Sequence, residues 1–403
     1  MTNICRPLSI KGTCISLGRI TSHASHVPRL RRRWTTWTSS THHPPRVAVL
    51  YQSIEAPIID GTRKPKKPGG YQDSGADIAY NLSKCDDVEV ICPSQAPDPR
   101  KDDGWSFPDS EDGILDAIQK GATHLWANTI VFASHPLQTS PRLEKHQGRI
   151  RVIGQGPLVV EKYDNKEYVN DLLRNMGGFT MPRAWSVRPG LNFTSDLVDL
   201  KYPVVAKPVR GRGSYGVKVC YNLDELISHS RPLLDESPAL MIEQFLMGDE
   251  ATVTVMPPTV GVNDYWSLPI VTRFNHLAGI APYNGVVAVM ANSRAVPTSE
   301  ELPEHSEVRR ECERAARVLG VTAPIRIDVR RLEDAPNSKF AMFDVNMKPN
   351  MTGPGRPGRD DQASLTLMAA SALGWDYREL LKQILGTSST LRSLRSLRPK
   401  EFN

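Results

Sequence analysis

The stretch Tyr202-Pro203-Val204-Val205-Ala206-Lys207-Pro208-Val209-Arg210-Gly211-Arg212-Gly213-Ser214-Tyr215-Gly216-Val217-Lys218-Val219-Cys220-Tyr221 decides how this chain reads. An apolar run ends on Lys207, a glycine-rich loop spans Gly211 to Gly216, and a second apolar alternation follows it. The order is strand with lysine, glycine loop, strand. A loop nearly free of side chains lets backbone N–H groups approach phosphates, and a lysine beside it supplies the counter-charge. The simplest reading is a nucleoside triphosphate site.

The loop also fits G-x-G-x-x-G, but a dinucleotide loop opens a helix whose N-terminus holds the pyrophosphate. Here the residues after Gly216 alternate with period two, which speaks against a helix. A P-loop needs Lys-Ser/Thr directly after its last glycine, and Val217 stands there. A protein kinase carries its lysine on a later strand, whereas Lys207 precedes the loop. Taken alone, the loop also reads as an ordinary glycine-rich hairpin turn.

Downstream, Ala239 to Leu246 reads as a strand entering a connector, with Gly248-Asp249-Glu250 and a strand from Ala251 to Met256 after it. Ile325-Arg326-Ile327-Asp328-Val329 and Phe340 to Asn346 look like buried strands with polar residues at alternate positions. Period two places Arg326 with Asp328, and Asp344 with Asn346, on one face of each strand. Buried carboxylates need partners, either an ion pair with Arg326 or a metal. Two carboxylates and an amide oxygen are the hard donors that Mg²⁺ takes beside phosphates.

In this order the motifs resemble the ATP-grasp superfamily, most closely its D-alanine:D-alanine ligase type. The resemblance runs from about Arg46 to about Leu385. It rests on Gly154-Gln155-Gly156-Pro157 with Glu161-Lys162, on Lys207-Pro208 with the loop, and on Ile242-Glu243-Gln244-Phe245-Leu246 with Glu250. It rests also on Arg326-Ile327-Asp328, and on Asp344-Val345-Asn346 with Pro349-Asn350-Met351-Thr352.

The resemblance implies an α/β protein with the ATP-grasp fold. It would have an N-terminal open α/β sheet domain (47–157), a small lid subdomain (158–254) and a C-terminal metal-binding α+β domain (255–386). ATP would be bound by Lys162, Lys207, Gly213, Ser214, Glu243, Phe245, Leu246 and Glu250. Asp328, Asp344 and Asn346 would hold Mg²⁺, or Mn²⁺ in its place. Arg326 and the N–H of Asn350 would stabilise a tetrahedral oxyanion. The bland alternatives are a solvated surface lysine at Lys162 and a surface acid beside Asp249 at Glu250.

The chain departs from the family at several places. Asp344 stands where glutamate is usual and Asn350 where glycine is usual; asparagine tolerates a left-handed backbone. The connecting segment Tyr283-Asn284-Gly285-Val286-Val287 lacks a customary phosphate-binding lysine, for which Arg294, Arg210 or Lys348 are stand-ins. Glu55 is a weak substrate-binding candidate, and the loop Thr352 to Asp361, with Arg356 and Arg359, is expected to set the second substrate.

The implied activity is ADP-forming, ATP-dependent ligation of a carboxylate to an amine through an acyl phosphate, on small molecules such as amino acids. An ATP-grasp phosphotransferase and a non-catalytic nucleotide-binding protein are the alternatives. The fold does not fix the substrate.

With 403 residues, 39% apolar and 23% charged, the chain is long enough for two or three globular cores. No apolar stretch is long enough to span a bilayer. The +6 net charge belongs to Met1–Arg46, which carries eight Lys/Arg and no acid; the remainder holds 42 basic against 44 acidic residues. The body is therefore no nucleic-acid binder by charge. The leader (1–46), with Arg31-Arg32-Arg33, reads as a mitochondrial transit peptide, a disordered extension or a gene-model extension. Location is accordingly cytoplasmic, or mitochondrial with a transit peptide. A homodimer is admitted. Six cysteines without a C-x-x-C pair suggest neither zinc nor disulfides.

Among local elements, Asp164 and Glu167 have capping-box spacing for a helix stopped at Gly177-Gly178, with Lys162 just before the cap. Glu304 to Leu319 presents Val308, Cys312, Ala315 and Leu319 on one face, with Gly320 as its cap. Gln362 to Leu373 and Tyr377 to Leu385 read as helices, and the Ser/Arg/Leu tail (387–403) as loose.

Overall fold

The computed structural model describes residues 43–401, apart from 198, 212 and 282–287. Residues 1–42 of the basic leader, and the connecting segment Tyr283 to Val287, lie outside the described residues. Arg46, counted with the leader from its charge, instead opens the first strand: its N–H donates to Thr123 Oγ1 at 2.9 Å.

The first sheet is built on β1 (Arg46–Tyr51), whose Val47 to Leu50 are all buried. A hairpin, β2 (Ile58–Ile59) and β3 (Thr62–Arg63), leads into α1 (Gln72–Leu82). β4 (Glu89–Val90), β5 (Phe107–Pro108) and β6 (His124–Asn128) each run parallel to β1, and β7 (Arg151–Ile153) runs parallel to β6. Between them lie α2 (Glu111–Gln119) and the short α3 (Pro136–Thr139). Alternation sorts β1 between two cores: Val47 and Val49 pack with Ala76 and Ile78 of α1, and Ala48 and Leu50 with Ile114 of α2. A parallel sheet covered on both faces demands such a continuous apolar run.

α4 (Pro157–Tyr163) and α5 (Lys166–Met176) lead to a four-stranded antiparallel sheet. Its order is β10 (Lys218–Cys220), β9 (Val204–Pro208), β11 (Leu240–Gln244), β8 (Ala184–Val187), with α6 (Phe193–Asp196) and α7 (Leu223–Glu236) alongside. β9 and β10 pair antiparallel, so the glycine loop is a hairpin connection, as its period-two flanks predict.

The third sheet holds β12 (Glu250–Met256) between β14 (Val271–Arg273) and β16 (Ile325–Arg331), with β13 (Trp266–Ser267) on β12, β15 (Ser293–Ala295) on β14 and β17 (Phe340–Asn346) on β16. β12 is therefore a strand of this sheet, and the chain leaves the second sheet at Gln244 rather than at residue 254. α8 (Pro303–Leu319) buries Val308, Cys312, Ala315 and Leu319 as its spacing predicts, and Gly320 caps it with φ +62°.

α9 (Leu365–Ser371) is shorter than Gln362–Leu373, because the chain extends up to the cap at Ser364; α10 (Tyr377–Leu385) matches. The tail is not loose. β18 (Ser389–Thr390) pairs antiparallel with β7, and Thr390 caps α11 (Leu391–Ser396), which buries Leu391 and Leu394. Two leucines at i, i+3 behind a threonine cap outweigh the polar look of the segment.

Candidate active site

A cleft of about 900 Å³ is lined by strands of the second and third sheets and by loops that flank the first. Lys207, Gly213, Ser214, Glu243, Phe245, Leu246, Glu250, Arg326, Asp328, Asp344, Asn346 and Asn350 all reach it. Residues scattered over more than 140 positions thus meet in one place. The described lining carries nine lysines and arginines against six carboxylates, a balance suited to a polyanion.

Lys162 is the exception among the candidates: it is exposed and does not line the cleft. It falls in the last turn of α4, with Nζ 4.1 Å from the centre of the Tyr168 ring. The cap of the next helix is one residue later than the capping-box spacing suggests. Asn165, not Asp164, accepts the N–H of Tyr168. That shift makes Lys166 the first helical residue, and Lys166 points into the cleft, its Nζ 2.6 Å from Asp344 Oδ1. Its backbone N–H donates to Val209 O beyond Lys207, which ties α5 to the second sheet. Asp164, released from capping, also lines the cleft and accepts from Lys64.

Lys207 is buried at the end of β9. Its Nζ lies 2.6 Å from Glu243 Oε2 and donates to Phe343 O at 2.9 Å, so it stands directly beside Asp344. Asn170 Nδ2 donates to the other oxygen of Glu243 at 2.9 Å. Gly213 and Ser214 take left-handed φ values of +61° and +58°, which turn the loop over the cleft mouth. Phe245 gives its backbone N–H to Pro203 O at 3.3 Å, so that donor is engaged within the protein. Its ring carries the Arg330 guanidinium 4.7 Å above it. Glu250 is buried, unlike its neighbour Asp249, and its Oε2 accepts from His276 Nε2 at 2.9 Å.

On β16 and β17, Asp328 and Asp344 are direct cross-strand partners, as are Arg326 and Asn346. Arg326 donates to both oxygens of Asp328, Nε to Oδ1 at 2.8 Å and Nη2 to Oδ2 at 2.9 Å. The ion-pair alternative is thus realised for Asp328, while Asp344 takes Lys166. Burial raises the Asp328 carboxyl above its ordinary value; Asp344 and Glu250 add to this and Arg326 opposes it. Burial acts on Asp344 too, but Lys166, Lys207 and Arg326 outweigh it and hold that carboxyl low. Two adjacent, partly buried carboxylates pushed apart in this way form a hard-oxygen site that a divalent cation would relieve. The donor set fits Mg²⁺ or Mn²⁺, with the Asn346 amide as third member.

Asn350 lies outside the left-handed region expected of it, and its Oδ1 accepts from Thr352 Oγ1 at 3.0 Å. Of the stand-ins for the missing lysine, Lys348 lines the cleft, whereas Arg294 pairs outside with Glu300 and Arg210 with Asp164 and Asp60. Arg273, not singled out from sequence, lines the cleft opposite Glu250 on β14, and burial lowers its pKa. Glu55 is not in the lining and pairs with Lys66. Arg356 and Arg359 do not reach the cleft: both bind the buried Asp77 of α1, with Nε–Oδ1 distances of 2.7 and 2.8 Å. No cluster of three or more His, Cys, Asp or Glu occurs among the described residues, and the four described cysteines are all free.

The family model of the D-ala D-ala ligase C-terminus matches residues 184–386. The D-alanine–D-alanine ligase A of Bacillus cereus is 29% identical over 202 residues, 49% of this chain and 58% of that protein. The D-alanine–D-alanine ligase of Bacillus anthracis is 30% identical over 206 residues, 50% of this chain and 59% of that protein. The matched stretch therefore spans less than two thirds of those relatives. In fold, the chain is similar to the crystal structure of a Bacillus anthracis D-alanine–D-alanine ligase complexed with ATP. The TM-score is 0.59 at 21% identity, over 87% of this chain and 98% of that one. The VanG D-Ala:D-Ser ligase of Enterococcus faecalis gives 0.57 at 12% identity, over 85% and 99%.

Proposed function

The chain belongs to the family of D-ala D-ala ligase C-terminal domains, and from that premise we propose that it is an ATP-dependent carboxylate–amine ligase. The observation that carries this reading is the convergence in one cleft of Lys207, Glu250, Arg326, Asp328, Asp344 and Asn346 beneath the glycine loop.

In the proposed reaction a carboxylate oxygen of the first substrate attacks the γ-phosphorus of ATP, and the bond to the leaving ADP breaks. The amine of the second substrate then attacks the acyl carbon, phosphate departs, and the amine proton is lost. Lys207 and Lys166 would neutralise phosphate charge, while Gly213 and Ser214 close over the phosphates as a lid. Glu250 would accept from the ribose hydroxyls, exchanging its bond to His276 for them. Arg326, now bidentate on Asp328, would turn towards the developing oxyanion with the Asn350 N–H. A divalent cation held by Asp328, Asp344 and Asn346 would screen the charge that develops between the phosphates.

Domain roles follow in the same proposal. The loops that flank the first sheet would carry one wall of the substrate pocket, the second sheet the lid, and the third the metal side. A cytoplasmic setting accords with the free cysteines. Among the described residues no helix is long and apolar enough to cross a membrane.

The test is ADP and phosphate release with panels of carboxylic acids and amines. A ligase needs both partners and gives a product with an amide bond. ADP release with a single partner and a stable phosphorylated product makes the protein a phosphotransferase. Tight ATP binding with no turnover on any pair makes it a nucleotide sensor.

A further inference from the structure

Gly156 of the Gly154-Gln155-Gly156-Pro157 motif and Lys162 of the Glu161-Lys162 pair do not line the cleft. Both belong to a contact with the segment that follows α11. A Cβ on Gly156 would fall 2.8 Å from Leu397 Cβ, so glycine is what lets residue 397 sit against the start of α4. Leu397 packs there on the core of the first sheet and on that of the third. Arg395, two residues earlier, donates to Leu137 O at 2.7 Å and to Ser140 O at 2.8 Å, which ties the segment to α3.

The segment then reaches the junction of α4 and α5. Lys400 N donates to Tyr163 Oη at 2.7 Å, and Tyr168 Oη donates to Lys400 O at 2.6 Å. Tyr163 ends α4 and Tyr168 stands in the first turn of α5, so the backbone of one residue bridges both sides of the junction. The two rings stack with centroids 6.3 Å apart, and Lys162 Nζ covers the Tyr168 ring.

The same junction supplies the cleft. Tyr163, Asp164 and Lys166 line it, and Lys166, between the two tyrosines in the chain, places its Nζ 2.6 Å from Asp344 Oδ1. The second sheet holds the junction through Val209 O, which accepts from Lys166 N, and through Arg210 Nη1, which donates to Glu161 O at 3.0 Å. A lysine on its flexible stem is placed only as well as the backbone beneath it.

We propose that Tyr163 and Tyr168 are positioning residues for the nucleotide site, and that residues 397–400 are the strap to which they are bound. The strap fixes the angle between α4 and α5, and that angle sets where Lys166 meets the phosphates. This rests on the nucleotide half of the ligase reading. It adds a dependence on parts of the chain outside the matched residues 184–386.

The test is calorimetry of a non-hydrolysable ATP analogue with Mg²⁺ on the full chain, which needs no turnover. Tyr168→Phe and Tyr163→Phe each keep the ring stack and lose one hydroxyl bond. Each should raise the Kd about threefold and the double variant about tenfold, the size of one and of two neutral hydrogen bonds. The deciding comparison is made in a Lys166→Met background. Because the hydroxyls act through Lys166, Tyr168→Phe should there change the Kd by less than about 1.5-fold. An unchanged Kd in the double variant overturns the proposal. So does an equal rise in both backgrounds, which is what a general loosening of the fold produces. If the coupling is found but no acid and amine pair releases ADP, the ligase reading fails and the strap stands. If the parent binds no nucleotide, both fall.

Discussion

Lys166 Nζ and Asp344 Oδ1 lie 2.6 Å apart although 178 positions separate them in the chain. The pair joins the first turn of α5 to β17 and holds a lysine against the carboxylate proposed to bind metal. Burial lowers the Lys166 pKa, but Asp344, and behind it Asp164 and Asp328, raise it more, so the ammonium stays charged. We propose that the phosphate-facing role expected of Lys162 belongs to Lys166, which lines the cleft where Lys162 does not.

This substitution of one lysine for another is directly measurable. Lys166→Met removes a charged hydrogen bond worth about 1.5–3 kcal/mol and leaves Asp344 without its nearest cation. KM for ATP should rise and kcat/KM fall by at least about tenfold. Lys162→Met, on the exposed side of α4, should stay within about twofold of the parent. Steady-state kinetics of the two variants at saturating Mg²⁺ checks both.

Asp344→Ala should lower kcat by at least about a hundredfold, because it removes a charge from a site whose metal is worth several kcal/mol. Asp344→Glu should retain partial activity with a shifted Mg²⁺ requirement. Both variants are read by titrating Mg²⁺ against ATP turnover alongside thermal unfolding. A purely structural partner of Lys166 would show a lowered Tm and an unchanged Mg²⁺ curve, and that result would remove Asp344 from the metal site.

The loop after Asn350 is anchored on a fully buried ion pair. Arg356 and Asp77 are both 0% exposed, and Arg359 supplies a second, partly exposed guanidinium to the same carboxylate. Arg356→Ala leaves Asp77 with the partly exposed Arg359 alone and also removes the bonds to Asp102 and the Lys101 carbonyl, so it should cost about 3 kcal/mol. Arg359→Ala should cost about 1 kcal/mol. Urea unfolding of both variants gives the comparison.

Stability should fall on mild acidification through His124. Burial, aided by Arg151, pushes its imidazole down to about 4. The folded protein therefore holds the ring neutral while the unfolded chain protonates it near pH 6.5, so the contribution is complete above pH 6.5 and is lost as pH falls towards 4. The Tm of His124→Gln should decline less over that window than that of the parent, by a few degrees. Scanning calorimetry at half-unit pH steps tests it.

The chain's local periodicities determined a good deal. Alternation in Ile325–Val329 and Phe340–Asn346 put Arg326 with Asp328, and Asp344 with Asn346, on common faces, and the structure pairs those strands with these residues opposite one another. The glycine loop with period-two flanks is a hairpin, and the helical face around Cys312 is buried as read. What the sequence could not carry was the partner that arrives from elsewhere. Lys162 and Lys166 stand four positions apart on successive helices, and only the second, first residue after the Asn165 cap, meets Asp344. Arg356 and Arg359 looked like ligand-binding cations until Asp77 of α1 was brought beneath them. Lys67 and Lys348, distant in the chain, lie over one ring only because the fold sets Tyr71 between them. The tail took its place only when β7 offered it an edge. A repeat of two or of 3.6 fixes which neighbours share a face, because it follows from the geometry of the element itself. A charged side chain must find its counter-charge in space, and only the packing of the three sheets chooses which one.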